Sequence, residues 1–109
     1  MQTAIIHKEL ASGRWQTLSL CEQLANIGSE ISRARRWQEK DAKIFEGAWL
    51  RALELFELTL TDNRWRGRWR EIARAREVFL DAASGSKEYK SSLEDLVRYF
   101  DSFALCARR

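Results

Sequence analysis

The sequence predicts an all-α protein, an antiparallel up-down four-helix bundle that forms a single domain over residues 1–109. The chain has no proline and five glycines, whereas turn-rich β-folds use both residue types at their corners. Apolar residues also recur at helical spacing in four segments that short polar connections separate, and short connections favour antiparallel neighbours. The alternative architecture is a three-helix core with one satellite helix.

Composition indicates one folded domain in the cytoplasm. Hydrophobic residues make up 45% of the chain, charged residues 32%, and the net charge is +3, which excludes the disordered class. Residues 1–14 are interpreted as an N-terminal arm, and the stretch from Met1 to Leu10 lacks the basic leader and long apolar region of a signal peptide. Charged residues interrupt the apolar zone 44–60, so we expect no membrane span and no membrane partner.

The first predicted helix runs from about residue 17 to residue 38. Ser19 and Glu22 have the spacing of a capping box at its start. Gly28 lies inside this helix, where glycine costs about 1 kcal/mol relative to alanine. This glycine indicates either the close approach of another backbone or a chance occurrence. The apolar stripe comprises Leu20, Leu24, Ile27, Ile31 and Ala34, and the outer polar face comprises Glu22, Gln23, Asn26, Glu30 and Arg33.

The second predicted helix begins after Asp41, which has the side chain of an N-cap, and ends near Leu60. Eleven of the seventeen residues from Ile44 to Leu60 are apolar, and they cannot share one stripe about 100° wide. We therefore expect a second buried face, supplied by neighbouring subunits. The candidate interface residues are Trp49, Leu50, Leu53 and Phe56.

The third and fourth helices are predicted from their caps and from the loop between them. Asp62 is a suitable cap for a helix that starts at about Arg64 or Gly67 and ends near Ala83. The segment 84–86 has the sequence Ser-Gly-Ser, a loop signal. Ser91 and Glu94 have capping-box spacing, and the fourth helix is expected to follow as far as about Ala107.

The segment 64–76 is rich in arginine, with six arginines and one acid. On a continuous helix Arg66, Arg70 and Arg74 would form a like-charge column that needs anions opposite it. Those anions could be acids of this protein, nucleic-acid phosphates or a membrane surface. Trp65 and Trp69 are expected to anchor a core or an interface rather than to stack on bases. The intraprotein candidates are Glu54, Glu57, Glu71, Glu77 and Asp81, and the candidate nucleic-acid or anion contacts are Arg33, Arg36, Arg66, Arg70 and Arg74.

No pattern in the sequence indicates catalysis. His7 is the only histidine, and one imidazole does not supply a base, an orienting group and a nucleophile. Glu54 and Glu57 lack the Glu-x-x-His partner of bundle metal sites. Cys21 and Cys106 lie far apart in sequence and are expected to be reduced thiols, although a small enzyme that uses one of them is a further alternative. The sequence therefore predicts a protein without catalytic residues, cofactor, metal or small-molecule substrate.

Two stretches carry a resemblance to a known family. These are residues 17–37, TLSLCEQLANIGSEISRARRW, and residues 51–78, RALELFELTLTDNRWRGRWREIARAREV. They resemble the short bacterial four-helix-bundle proteins encoded by intervening sequences in large-subunit ribosomal RNA genes, a group that includes the accessory variability protein of diversity-generating retroelements. Among these, the chain looks most like the conserved hypothetical cytosolic proteins of the group.

The resemblance implies a homopentamer, with five bundles around a central axis. In the retroelement member it also implies a basic surface that binds nucleic acid and reverse transcriptase. We therefore expect a non-enzymatic, ring-like homo-oligomer that acts as a scaffold or interaction module. The alternative is a nucleic-acid-binding accessory protein that acts through the arginine-rich face of the third helix.

Overall fold

The computed structural model describes residues 13–84 and 93–107, and within these ranges the chain is an all-α four-helix bundle without strands. Two 3-10 helices accompany the four α-helices, at Arg14–Thr17 and at Asn63–Arg68. The α-helices are α1 (Leu20–Trp37), α2 (Ala42–Leu60), α3 (Trp69–Ser84) and α4 (Leu93–Ala107). The predicted fold class and all four predicted helices are confirmed.

Helices α1 and α2 begin where their caps predict. Ser19 Oγ accepts from the backbone N–H of Glu22 at 3.1 Å, and Glu22 Oε1 accepts from the N–H of Ser19 at 2.8 Å. This capping box satisfies two backbone donors and lowers the pKa of the Glu22 carboxyl, mainly through its hydrogen bond to the Ser19 backbone. Asp41 Oδ1 accepts from the N–H groups of Lys43 and Ile44 at 3.0 and 3.2 Å. Both cap predictions are confirmed.

The helices run up and down in sequence order. Trp65, just before α3, donates from Nε1 to Gln23 in the first turns of α1, and Gln38, after α1, lies 3.4 Å from the carbonyl of Ala82 near the end of α3. Helices α1 and α3 therefore run in the same direction. Helix α1 packs mainly against α2 and α4, whereas α3 packs on α2 and contacts α4 over a short stretch.

Aromatic residues of three helices meet in the core. Phe56, Phe79 and Phe100 are each at most 1% exposed, and the ring centroid of Phe56 lies 6.0 Å from each of the other two. Ile27 adds a fully buried side chain from α1. Burial of each such side chain contributes about 1.5–3 kcal/mol, so one core holds all four helices.

Gly28 lies at the closest approach of α1 and α4. A Cβ atom built at Gly28 would lie 2.8 Å from Phe100 Cβ, a distance at which one of the helices must shift. The absence of a side chain therefore lets α4 pack directly on the backbone of α1. The close approach that the sequence offered as one explanation for this glycine is present.

The segment that precedes α1 already packs on the core of the bundle. Gly13, with φ of 125°, precedes the first 3-10 helix, and Trp15 in that helix is fully buried against the core. The predicted arm therefore ends earlier than residue 14, because the large indole of Trp15 finds a site between α1 and the end of α2. Residues 1–12, with His7, lie outside the described residues, as do the predicted loop at 85–86 and Ser91 of the second capping box.

A disulfide joins Cys21 in α1 to Cys106 in α4, with 5.9 Å between the Cα atoms. The prediction of two reduced thiols is therefore wrong for this structure. The sequence separation of 85 residues did not predict this short spatial distance. The two cysteines meet because α4 runs antiparallel to α1, so the end of α4 lies beside the start of α1. None of the described helices combines the length and apolar character needed to cross a membrane.

Candidate functional site

The arginine-rich segment is split between two kinds of helix. Residues 63–68 form the second 3-10 helix, in which Trp65 has non-helical dihedral angles (φ −102°, ψ 20°), and α3 begins at Trp69. Arg66 therefore lies outside the α-helix that carries Arg70 and Arg74. The predicted three-membered column on one continuous helix is corrected to a pair on α3 preceded by one arginine in the 3-10 helix.

Three other arginines of this segment pair with acids of the same chain. Arg64 Nη2 lies 2.7 Å from Asp62 Oδ2, Arg68 Nε lies 3.0 Å from Glu71 Oε2, and Arg76 Nε lies 3.0 Å from Glu57 Oε1. Glu57 and Glu71 thus form ion pairs within the chain, but with Arg76 and Arg68 rather than with the predicted column of Arg66, Arg70 and Arg74.

Two arginines and a tryptophan near the start of α3 are exposed. Arg66 and Arg70 are exposed, and neither forms an ion pair with an acid in the part of the chain that the structure describes. Trp69 lies between them in sequence and is 52% exposed, so it does not anchor the core of its own chain, and its predicted role as an interface anchor stays a prediction. We call Arg66, Trp69 and Arg70 the Arg-Trp surface. Arg74, one turn beyond Arg70, is also exposed.

The second predicted basic turn lies at the other end of the bundle. Arg33 and Arg36 are exposed on the last turns of α1, whereas Trp65 contacts α1 at Gln23. Arg33 is ten residues beyond Gln23, which is about 15 Å along the helix axis. The two predicted basic segments therefore do not form one continuous surface.

A buried polar network joins α1 to the 3-10 helix that precedes α3. Gln23 is fully buried, donates from Nε2 to the carbonyl of Trp15 at 2.9 Å and to Asp62 Oδ2 at 3.1 Å, and accepts from Trp65 Nε1 at 2.9 Å. Asp62 also accepts from the backbone and side chain of Arg64. The hydrogen bond from the Arg64 side chain is the main reason that the pKa of Asp62 falls to about 2.

This network corrects the predicted outer face of α1. Gln23 belongs to the row Gln23, Ile27 and Ile31, which is spaced at four residues and is fully buried. The row was visible in the sequence, but an amide usually indicates a solvated position. Gln23 is buried because three hydrogen bonds offset the cost of removing its amide from water.

The predicted subunit-interface residues on α2 have different environments. Phe56 is fully buried in the core of its own chain, so it does not face outward as predicted. Leu50 is 36% exposed, whereas Trp49 and Leu53 are half-buried. Trp49 Nε1 is buried without a hydrogen-bond acceptor in the described part of the chain. The candidate outer face is thus reduced to Trp49, Leu50 and Leu53.

A single chain covers much of the apolar surface on α2. Of its eleven apolar residues between Ile44 and Leu60, four are buried, five are half-buried, and Ile44 and Leu50 are exposed. The sequence argument for a second buried face is therefore weaker than the residue count indicates, because α1 and α3 both pack on α2.

Within the described ranges, no group of three or more His, Cys, Asp or Glu side chains is arranged to hold a metal ion. The fold and the exposed side chains define an all-α helical protein with a basic aromatic surface at one end. Comparison of the chain with family models, with curated proteins and with solved structures finds no match. The family resemblance stays a prediction.

Proposed function

We propose that this protein is a non-enzymatic four-helix protein that binds single-stranded nucleic acid through the Arg-Trp surface. The observation that carries the proposal is the exposed Trp69, which is adjacent in sequence to Arg70 and three residues after Arg66, with neither arginine paired to an acid in the described ranges. An exposed indole is a platform for an unpaired base, and stacking contributes about 1–3 kcal/mol per base. Arg66 and Arg70 supply the charge that attracts the adjacent phosphates.

The acids nearest to this surface have partners of their own. Glu71 is contacted by Arg68 and also accepts from Tyr99 Oη at 3.1 Å. An acid that already has two donors competes poorly for another guanidinium. The positive charge of Arg66 and Arg70 thus faces solvent, where a polyanion can reach it.

The polar network anchors the 3-10 helix that carries Arg66, one residue of the Arg-Trp surface. Trp65 is anchored to Gln23, and Arg64 is anchored to Asp62 and to the carbonyl of Leu18 at 2.8 Å. The 3-10 helix that carries Arg66 is therefore held on the ends of α1 and α2. A binding surface held in place in this way loses less conformational entropy when a ligand binds.

The test is fluorescence anisotropy with a labelled six-nucleotide single-stranded oligonucleotide over a series of salt concentrations. Trp69→Ala is expected to weaken binding about 5- to 150-fold, the equivalent of one lost stacking contact. The double variant Arg66→Ala/Arg70→Ala is expected to reduce the slope of log K against log salt by about 1.4, because each phosphate contact to a single strand contributes about 0.7.

The control is the double variant Arg33→Ala/Arg36→Ala, which removes the same charge from the opposite end of the bundle. A six-nucleotide ligand at the Arg-Trp surface is expected to be insensitive to that change beyond a weak long-range effect. Absence of binding by the wild-type protein at low salt would refute the proposal. An equal loss in the control variant would refute the assignment of the Arg-Trp surface.

A second candidate function is self-assembly into a ring-like homo-oligomer that acts as a scaffold, with five subunits if the family resemblance holds. The observation that favours it is the indole N–H of Trp49, which is buried without an acceptor in the part of the chain that the structure describes, next to the exposed Leu50. An unsatisfied buried donor costs about 1–3 kcal/mol. A neighbouring subunit that packs on Leu50 could supply the missing acceptor.

Native mass measurement at micromolar concentration tests self-assembly. A five-subunit mass is the expected result, and Leu50→Glu is expected to dissociate the assembly. Ile44→Glu is the matched control, because Ile44 is similarly exposed but lies about 120° around α2 from Leu50. A monomer mass for the wild-type protein would refute this second function and leave the first one standing.

If the protein binds nucleic acid, we expect it to be located in the cytoplasm, because nucleic acid is found in that compartment. The disulfide offers a direct check, since cytosolic thiols are normally kept reduced. Alkylation followed by mass analysis of protein taken directly from cells distinguishes the Cys21–Cys106 disulfide of this structure from two thiols, and alkylation of both thiols would support a cytoplasmic location. Complete oxidation in cells would instead indicate an oxidising compartment.

A further inference from the structure

A second group of cations without acidic partners lies at the end of the bundle opposite the Arg-Trp surface. These side chains belong to the last turns of α1, the turn that follows it and the first turn of α2, and all of them are exposed. Within the described ranges none of them forms an ion pair or a side-chain hydrogen bond. We call this group the basic turn, and its members are Arg33, Arg35, Arg36, Lys40 and Lys43.

The tertiary structure brings part of the basic turn together around one hollow, which has a volume of about 260 Å³. The packing of the start of α4 beside the end of α1 creates this hollow. Its lining comprises Arg35, Arg36, Gln38, Glu39, Lys40, Leu93 and Glu94.

The acids close to the basic turn do not neutralise it. Glu39 and Glu94 line the hollow but form no ion pair with its cations in the described part of the chain. Asp41 accepts from two backbone N–H groups at the start of α2. Five cations thus face three acids, and the excess positive charge is available to an external anion.

The basic turn differs from the Arg-Trp surface in its aromatic content. Trp37, which follows Arg36, is half-buried, whereas Trp69 is 52% exposed. The basic turn therefore offers cations without an exposed aromatic platform for an unpaired base. A surface of this kind contacts phosphates rather than bases, so its affinity follows the density of phosphate charge. That density is high in a duplex, which carries one negative charge per about 1.7 Å of its axis.

We propose that the basic turn binds the phosphates of a nucleic-acid duplex, so that the protein recognises a duplex with a single-stranded tail, one part at each end of the bundle. This inference rests on the proposed function, because the tail is bound by the Arg-Trp surface. An anionic membrane fits the basic turn less well, because a helix that lies on a membrane needs an exposed apolar face. The apolar Ala34 and Trp37 in the last turns of α1 are buried and half-buried.

The two surfaces are far enough apart to hold different parts of one ligand. Gln23, which anchors Trp65, and Arg36 are thirteen residues apart on α1, which corresponds to about 20 Å along the helix axis. Ten nucleotides cover this distance even at the spacing of about 3.4 Å in a stacked strand, whereas two nucleotides do not. A ligand that reaches both surfaces makes its second contact intramolecularly, which raises its affinity above that of either part.

The test is fluorescence anisotropy of the full-length protein with four labelled ligands. These are a ten-nucleotide single strand, a blunt duplex of twelve base pairs, and the same duplex with a single-stranded tail of ten or of two nucleotides. The duplex with the long tail is expected to bind at least tenfold more tightly than the blunt duplex or the free strand. The duplex with the short tail is expected to bind like the blunt duplex.

Variants of the basic turn test where the duplex binds. Arg33→Ala/Arg36→Ala is expected to reduce the slope of log K against log salt for the blunt duplex by about 1.8, because each phosphate contact to a duplex contributes about 0.9. The matched control is Arg33→Lys/Arg36→Lys, which retains both charges and is expected to keep the slope. Trp69→Ala is expected to show the converse pattern, a larger loss for the free strand and the long-tailed duplex than for the blunt duplex.

Failure of this inference is distinguishable from failure of the proposed function. Binding of the single strand without binding of the blunt duplex would overturn the inference and leave the Arg-Trp surface standing. Equal affinities for the two tailed duplexes, or duplex binding that is unchanged in Arg33→Ala/Arg36→Ala, would have the same meaning. Absence of single-strand binding would refute the proposed function, and the tail would then have no site. Binding to vesicles that contain phosphatidylserine, without binding of the duplex, would assign the basic turn to a membrane and would equally contradict the inference.

Discussion

The Nε2 atom of Gln23, a side chain without solvent exposure, lies 3.1 Å from Oδ2 of Asp62, which is 7% exposed. This hydrogen bond joins the first turns of α1 to the segment between α2 and α3. The same amide accepts from Trp65 Nε1 at 2.9 Å, so one side chain links three parts of the chain. Several consequences for stability can be measured.

Replacement of Gln23 by leucine is expected to destabilise the protein by about 2–4 kcal/mol. The substitution keeps approximately the same volume but removes the acceptor of the Trp65 indole N–H and a donor to Asp62 Oδ2 and to the carbonyl of Trp15, which keeps the N–H of Leu18. A hydrogen-bonding group left without a partner in the interior costs about 1–3 kcal/mol. Urea unfolding measures the change. Gln16→Leu, at an exposed position of the first 3-10 helix, is the control and is expected to change the free energy of unfolding by less than about 0.5 kcal/mol. Equal effects of the two variants would contradict the assigned role of the network.

Acid is expected to destabilise the protein through Asp62. The hydrogen bond from the Arg64 side chain holds the pKa of this carboxyl at about 2, below its ordinary value of 3.8. A carboxyl with a lower pKa in the folded state contributes stability above its unfolded pKa and loses it as the pH falls towards the folded pKa. We therefore expect about 2 kcal/mol to be lost between about pH 4 and pH 2.

Urea unfolding at several pH values tests this dependence. Asp62→Asn is expected to be less stable at neutral pH and to lack the corresponding loss in acid. Arg64→Gln retains the carboxyl but removes the group that lowers its pKa, so its acid unfolding is expected to begin at higher pH. Identical acid profiles for wild type and Asp62→Asn would show that Asp62 does not determine the response.

Reduction of the disulfide is expected to lower the melting temperature. The bond between Cys21 and Cys106 closes a long loop, and the loss of such a cross-link typically costs about 2–5 kcal/mol. For a domain of this size that loss corresponds to about 10 °C or more. The control is the Cys21→Ser/Cys106→Ser variant, whose melting temperature is expected to be independent of reductant. A fully reduced wild-type protein that melts at the same temperature as the oxidised one would contradict the prediction.

Two glycines in helices are expected to respond oppositely to replacement by alanine. Gly28→Ala introduces a Cβ atom 2.8 Å from Phe100 Cβ, so α4 must move, and we expect a net loss of about 1–3 kcal/mol. At Gly47 the nearest atom is the terminal Nη1 of Arg51 at 3.1 Å, which can move aside. Gly47→Ala is therefore expected to stabilise the protein by up to about 1 kcal/mol through helix propensity. Thermal unfolding measures both variants, and stabilisation by Gly28→Ala would show that the close approach of α1 and α4 is not tightly packed.

The local features of the fold could be predicted from neighbouring residues. Ser19, Asp41 and Asp62 cap helices that begin next to them, because a capping side chain bonds to backbone groups two or three residues ahead. The apolar row of α1 was identified for the same reason, since its period is local. Gln23 was misplaced because its burial depends on Asp62 and Trp65, which are about forty residues away in sequence.

The candidate site could be predicted only in part. The concentration of arginines at 64–76 is a property of the sequence, but their partners are a property of the folded chain. Arg76 meets Glu57 across two helices, while Arg66 and Arg70 remain without an acidic partner in the described ranges. The exposure of Trp69 and the distance of Arg33 from the Arg-Trp surface likewise follow from where the helices lie.

The sequence by itself determined that this protein is helical, that its first two helices begin after Ser19 and Asp41, and that arginine is concentrated near the start of the third helix. These properties depend on residues within one or two helical turns of each other. Only the tertiary structure decided that Cys21 meets Cys106 and that Gln23 and Trp15 are buried. Each of these depends on residues that are distant in the chain, and their proximity is set by the packing of whole helices around the core.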